Sequence, residues 1–201
     1  MSVVHRTRQS SMSLGCGAVA MFIGTLFYWL SAFSTPFING IYYVHTREND
    51  VKFGNFGWCA GRNVLTGYPF EVCYQHVGYL FKPWIPGNQH TTGALLLVAL
   101  TAAFGTLAFF SLLHSALDLK SGACSFFLTM LTTLLATISF LAVIIIFGVA
   151  HHRFKDDHLD PHYGAGLVLV IIGWLCFMLT PPLVLVGWFK ERRYRTRPDS
   201  Y

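Results

Sequence analysis

Four runs free of Asp, Glu, Lys and Arg dominate the chain: residues 14–34, 93–117, 124–150 and 163–189. Each is long enough to supply the roughly 20 helical residues that cross a hydrocarbon core. Backbone polar groups inside lipid must pair internally, so the four runs are predicted to be helices. The expected order is a Ser-rich, basic, disordered tail (1–13), a first span (14–35) and a long polar segment (36–92). A second span (93–117), a tight turn (118–123) and a third span (124–150) follow. A short polar loop (151–162), a fourth span (163–189) and a basic tail (190–201) complete it.

Between the spans the pattern changes. Ser34-Thr35-Pro36 should end the first helix, because proline restricts the residue before it and cannot continue the ladder. Residues 41–44 are β-branched and aromatic and predict a strand, and residues 68–76 predict a second. Gly54, Gly57, Gly61 and Gly67 punctuate the stretch between them and mark bulges or turns. Residues 82–87 should be irregular, with Trp84 at the headgroup layer. Spans 2 and 3 form an antiparallel hairpin. Thr101 and Gly105 on one, and Thr129, Thr133 and Thr137 on the other, recur every four residues, a spacing that lets helices approach closely in lipid. Thr180-Pro181-Pro182 predicts a kink in span 4. The expected fold class is an all-α membrane protein: a four-transmembrane-helix bundle with a small, disulfide-stapled, β-containing ectodomain between spans 1 and 2.

Composition supports the assignment and charge orients it. The chain is 54% hydrophobic and 11% charged, against about 25% charged in soluble domains. Arg6, Arg8, Lys120, Lys190, Arg192, Arg193, Arg195 and Arg197 oppose Asp118, Glu191 and Asp199 on one side, a net of +5. The other side balances to zero. The positive-inside rule therefore puts both termini in the cytosol. A basic tail there favours anionic lipid heads and is no argument for nucleic acid. Ala32-Phe33-Ser34 resembles a signal-cleavage site, but the apolar run exceeds the 7–15 residues of a signal peptide, so an uncleaved anchor is expected.

The five cysteines divide by location. Cys59 and Cys73 fall in the polar segment and pair as a disulfide on an oxidising side, the alternative being two free or acylated thiols. Closing a loop of about 15 residues is worth roughly 3 kcal/mol in the chain-entropy model. Cys16, Cys124 and Cys176 lie in spans and read as small apolar residues.

The residues around that pair carry a family resemblance. Phe53-Gly54, Phe56-Gly57-Trp58-Cys59 and Gly61, followed by Cys73 and His76-Val77-Gly78-Tyr79, resemble the signature of the fungal PalI-type tetraspan proteins, which are pH-response regulators. The likeness extends to the span exit at Ser34-Thr35-Pro36, the four spans, the short turn between spans 2 and 3 and the basic cytosolic end. More distantly, the Gly57-Trp58-Cys59 to Cys73 spacing is similar to the claudin superfamily signature, which implies a four-helix bundle capped by an antiparallel sheet. Independently of family, glycines beside Phe53, Phe56 and Trp58 let the backbone turn sharply and are expected to bring the three rings together.

The loop at 151–162 holds His151, His152, His158 and His162 among three aspartates. It reads first as a soluble connector, with pH modulation or a zinc or copper site as the sharper alternatives. No metal-binding spacing is matched, and no cofactor is expected. His114 in span 2 is an intramembrane ionisable group without a second ligand at its depth. No span carries a carboxylate or a cation, which argues against an ion-coupled transporter. The sequence thus predicts a non-enzymatic, multi-pass plasma-membrane protein. By resemblance it assists the localisation or stability of an ambient-pH-sensing receptor. The alternative is a membrane-domain organiser or claudin-like accessory subunit. Its partners would be the bilayer, another multispan membrane protein and, optionally, further copies of itself.

Overall fold

The computed structural model describes residues 2–47, 50–61, 72–79, 81, 92–118 and 122–195. The apolar runs form α1 (Ser2–Ala32), α2 (Leu96–Asp118), α3 (Gly122–Asp156) and α4 (Ala165–Arg195). All four are long and apolar enough to cross a membrane. The expected class is therefore found: four spanning helices, with a small antiparallel sheet and a disulfide between the first two.

Two boundaries differ from the sequence reading. The segment 1–13, expected as a disordered tail, is helical from Ser2 onward; no proline or glycine precedes Gly15 to interrupt it. The third helix runs past Ala150 to Asp156, with Arg153 and Lys155 in its last turn. Cations there oppose the negative end of the helix dipole. The first helix stops at Ala32, where proline demands it. The Thr35–Pro36 peptide is cis, and the Thr35 N–H donates to the Ile41 carbonyl at 2.8 Å, closing a turn.

In the bundle, α1 packs against α2 and α4, and α3 packs against α2 and α4. The α1–α4 contact depends on small residues. A Cβ on Gly24 would stand 3.1 Å from the Gly173 carbonyl oxygen, and one on Gly173 would stand 2.8 Å from the Tyr28 ring. Hydroxyl and indole groups tie the helices together. Tyr28 donates from α1 to the Ala136 carbonyl of α3 at 3.1 Å. Trp29 donates to Thr106 of α2 at 3.0 Å, and Thr132 to the Phe104 carbonyl at 3.3 Å. On the threonine stripe, Thr137 accepts from the Trp174 indole at 3.2 Å. Gly105 faces Thr25 and Phe177.

The helix α4 continues through Pro181 and Pro182. Pro181 has no N–H to give the Phe177 carbonyl four residues back. The Thr133 hydroxyl of α3 reaches that carbonyl at 3.1 Å, sharing its one proton with the Thr129 carbonyl of its own helix at 2.9 Å. In lipid the orphaned carbonyl would have no water to turn to. Thr133→Val should therefore lower bundle stability by about 1 kcal/mol. Thr129, which bonds only within its own helix at Phe126, should tolerate valine better. Unfolding of both variants in the same lipid–detergent mixture checks the ordering.

The sheet contains β1 (Val44–Thr46), β2 (Val51–Phe53), β3 (Gly57–Ala60), β4 (Val72–Gln75) and β5 (Pro161–Tyr163), in the spatial order β4-β3-β2-β1-β5. All pairings are antiparallel. The expected strand at 41–44 starts only at Val44, because the Tyr42 and Tyr43 carbonyls accept from Gly166 and Gly164 at the start of α4. Of the expected strand at 68–76, residues 72–75 are strand and 68–71 lie outside the described residues, as do Trp84 and the segment 82–87. The unexpected element is β5. It comes from the 151–162 loop, so that loop is no free connector: its second half completes the sheet.

Candidate functional site

The membrane-proximal end of the sheet is where the signature residues gather. The β2–β3 hairpin turns through Gly54-Asn55-Phe56-Gly57, with the Gly54 N–H donating to the Gly57 carbonyl at 2.9 Å. Both glycines are required by close approach. A Cβ on Gly54 would overlap the backbone of Thr35 at the exit of α1, and one on Gly57 would overlap the Tyr74 carbonyl of β4. Gly57 also has a φ of 154°. The hairpin is thus pressed at once against the end of α1 and the neighbouring strand. The Asn55 N–H donates to Ser34 Oγ at 2.8 Å, fixing the same junction.

The three signature rings do not come together as expected. Phe53 is fully buried. Its ring lies 5.3 Å from Phe154 at the end of α3 and 5.2 Å from Phe81, and it stacks on Tyr79. Phe56 instead meets Phe37, at 6.1 Å. Trp58 lies beside Tyr74, 5.9 Å away and only partly buried. The register explains the separation. Phe53, Trp58 and Tyr74 are direct cross-strand partners on one face. The helix α3 packs against β1 and β5 and meets β2 through Phe53 and Phe154, so the row moves away from that helix as it runs to β3 and β4. Sequence proximity could not distinguish a ring over the bundle from one a strand further out.

The rest of the signature supports the clamp. Tyr79 is buried and donates to the Gly54 carbonyl at 2.7 Å. Burial pushes its phenol well above its ordinary value, so it remains a donor. Tyr43 is raised by burial too, against the opposing pull of its bond to Ser31, and its ring stacks on Phe147 at 4.5 Å. Gly78 has a φ of 75°, as the turn into Tyr79 requires. The His76 N–H donates to the Phe56 carbonyl at 3.0 Å and its exposed ring stacks on Tyr74. The Gly61 N–H donates to the Asp50 carbonyl at 2.8 Å.

Cys59 and Cys73 are disulfide-bonded across directly opposed positions, with Cα atoms 4.1 Å apart. The bond from His76 to Phe56 makes their row a non-hydrogen-bonded one, the kind in which opposing Cα atoms lie closest. Cys16 and Cys124 are exposed and Cys176 is half-buried on the spans. His114 is exposed near the end of α2.

The four histidines of the 151–162 loop are dispersed. His151 stacks on Tyr163 at 4.2 Å. His152 pairs with Asp156 one helical turn away, at 3.1 Å. His158 sits in a turn with a φ of 60°. His162 pairs with Asp160 at 3.3 Å and lies opposite His45 across the β1–β5 ladder. Among the described residues no three His, Cys, Asp or Glu side chains converge as a metal site would need. His45, bonded to Asp50 at 3.0 Å, was not singled out by the sequence; only the β1–β5 pairing gives it significance.

Pro161 fits its strand because its position bonds nothing. Gly164 donates to Tyr43, so His45 opposite His162 is a hydrogen-bonded pair and Thr46 opposite Pro161 is not. That geometry gives a direct test of the join between the two loops. A Thr46→Cys, Pro161→Cys double variant should form an intramolecular disulfide on oxidation, visible by peptide mapping. A freely moving 151–162 loop would leave both thiols alkylatable.

Sequence reasoning missed Phe81, Phe147 and Phe154, the walls around Phe53 and Tyr43. Phe147 lies near the end of an apolar run, while Phe81 and Phe154 fall in the polar segments, where nothing in the sequence marks them as core. The chain matches no protein-family model, and no curated protein matches it.

Proposed function

We propose that this chain is a non-enzymatic plasma-membrane tetraspan with cytosolic termini. It would assist the localisation or stability of another multispan membrane protein, an ambient-pH-sensing receptor. The observation that carries the reading is the clamp itself. The signature residues shared with the PalI-type pattern serve to weld sheet and helices into one body: Gly54 against Thr35, Phe53 against Phe154, Tyr79 against Gly54. A rigid body is what lateral docking needs, since little ordering entropy remains to be lost on association. The threonine, tyrosine and tryptophan polar groups described above are engaged in holding helices together, a structural use.

A lateral apolar ridge supports the same reading. Trp29, Phe33, Phe37 and Phe56 follow one another ring to ring, from the last turn of α1 to the hairpin. Phe33 and Phe37 are about half exposed. The ridge equally suits a membrane-domain organiser, which is the second reading. Deleting the gene separates the two. Impaired growth at alkaline pH with a mislocalised receptor supports the first, and a normal alkaline response with scattered membrane patches supports the second. Gly57→Val should mimic deletion, because its side chain would strike the Tyr74 carbonyl.

A further inference from the structure

The helix ends fix where the sheet stands relative to the bilayer. Tyr43 stacks on Phe147 and Phe53 on Phe154. These two rings of α3 straddle Ala150, the last residue of its apolar run, and are separated by about 10 Å along the helix. The residues between them therefore sit at the hydrocarbon boundary, within a headgroup layer roughly 5–7 Å thick. Two further points lie at the same level: Tyr163, two residues before α4 begins, and Phe56, in contact with Phe37 just beyond the end of α1. From these helix ends one row, Tyr163–Val44–Phe53–Trp58–Tyr74, runs across the sheet.

The row does not stop at the bundle. The helix α3 packs against β1 and β5, while β3 and β4 lie on the far side of β2, with β4 about 10 Å beyond it. Tyr74 is 48% exposed and Val77, at the foot of β4, is 49% exposed. Tyr74 and the ring of Trp58 are on the face that, at Phe53, looks toward the bundle. Outboard of the bundle, the same face carries the exposed Tyr74 ring.

We infer that the foot of the β3–β4 hairpin, formed by Tyr74, Val77 and the ring of Trp58, is a lipid-contact site. It rests in the headgroup layer of the adjacent leaflet. Tyrosine and tryptophan suit that layer because one part of each is apolar and the other wet. The site would prop the outboard half of the sheet, β3 and β4. It is independent of the proposed partner.

A photoreactive benzoylphenylalanine in place of Tyr74 tests this on the full chain in nanodiscs of phosphatidylcholine. Parallel probes belong at Phe110, exposed on the mid-span surface of α2, and at His158, in the turn before β5. Position 74 should give lipid adducts at a yield roughly tenfold above position 158 and near that of position 110. Yields at 74 no higher than at 158, or adducts only to a second copy of the chain, overturn the inference. The same probe at Val77 guards against disturbance of the Tyr74 stack. Lipid adducts absent at both positions in folded, disulfide-bonded protein would end it.

Discussion

Phe53→Ala will unfold the sheet from the bundle before any other ectodomain alanine substitution does. The ring is fully buried and touches Phe81, Tyr79 and Phe154, so its removal should cost about 3–5 kcal/mol. Trp58→Ala removes a larger ring but one only partly buried, and should cost visibly less. The contrast matters because the sequence alone treats the two rings alike. Thermal unfolding in detergent, followed by near-ultraviolet circular dichroism, ranks the two. A larger loss for Trp58→Ala would mean that the core is not centred on Phe53.

Cys59→Ala should be the second large effect. The bridge closes β3 to β4, and its loss returns roughly 3 kcal/mol of chain entropy to the unfolded state. The β3–β4 pair forms the end of the sheet away from β5. Surface abundance should fall well below that of Cys176→Ala, which alters a half-buried thiol on α4. Peptide mapping without reductant should recover the Cys59–Cys73 linkage from freshly isolated protein. Finding both as free thiols would remove the basis of the prediction.

What was legible in the sequence followed from one-dimensional physics. A run of apolar residues of membrane-crossing length leaves the backbone no option but a helix, and all four helices are where the runs are. Two cysteines in a polar segment had each other as partners. The rest required the third dimension. Pro161-His162-Tyr163 is too short and too proline-marked to read as a strand; it becomes one only because β1 offers an open edge at α4. The direction of the Phe53 and Trp58 rings depends on strand order, which alternation does not encode. The tight approach of Gly24 to Gly173 joins residues nearly 150 positions apart, a pairing that spacing within one helix cannot announce. Thr133 carried the right suggestion of close helix contact, but its service to the carbonyl left by Pro181 needed both helices in view.

The most direct test of the accessory role is to purify the full chain from native membranes in a mild detergent and identify what accompanies it by mass. The account predicts a multispan membrane protein, enriched in proportion to the bait and lost with Phe53→Ala, whose ectodomain clamp is broken. It also predicts that deleting the chain displaces that same partner from the plasma membrane. Recovery of the chain alone, with its candidate receptor correctly placed in the deletion strain, would contradict it.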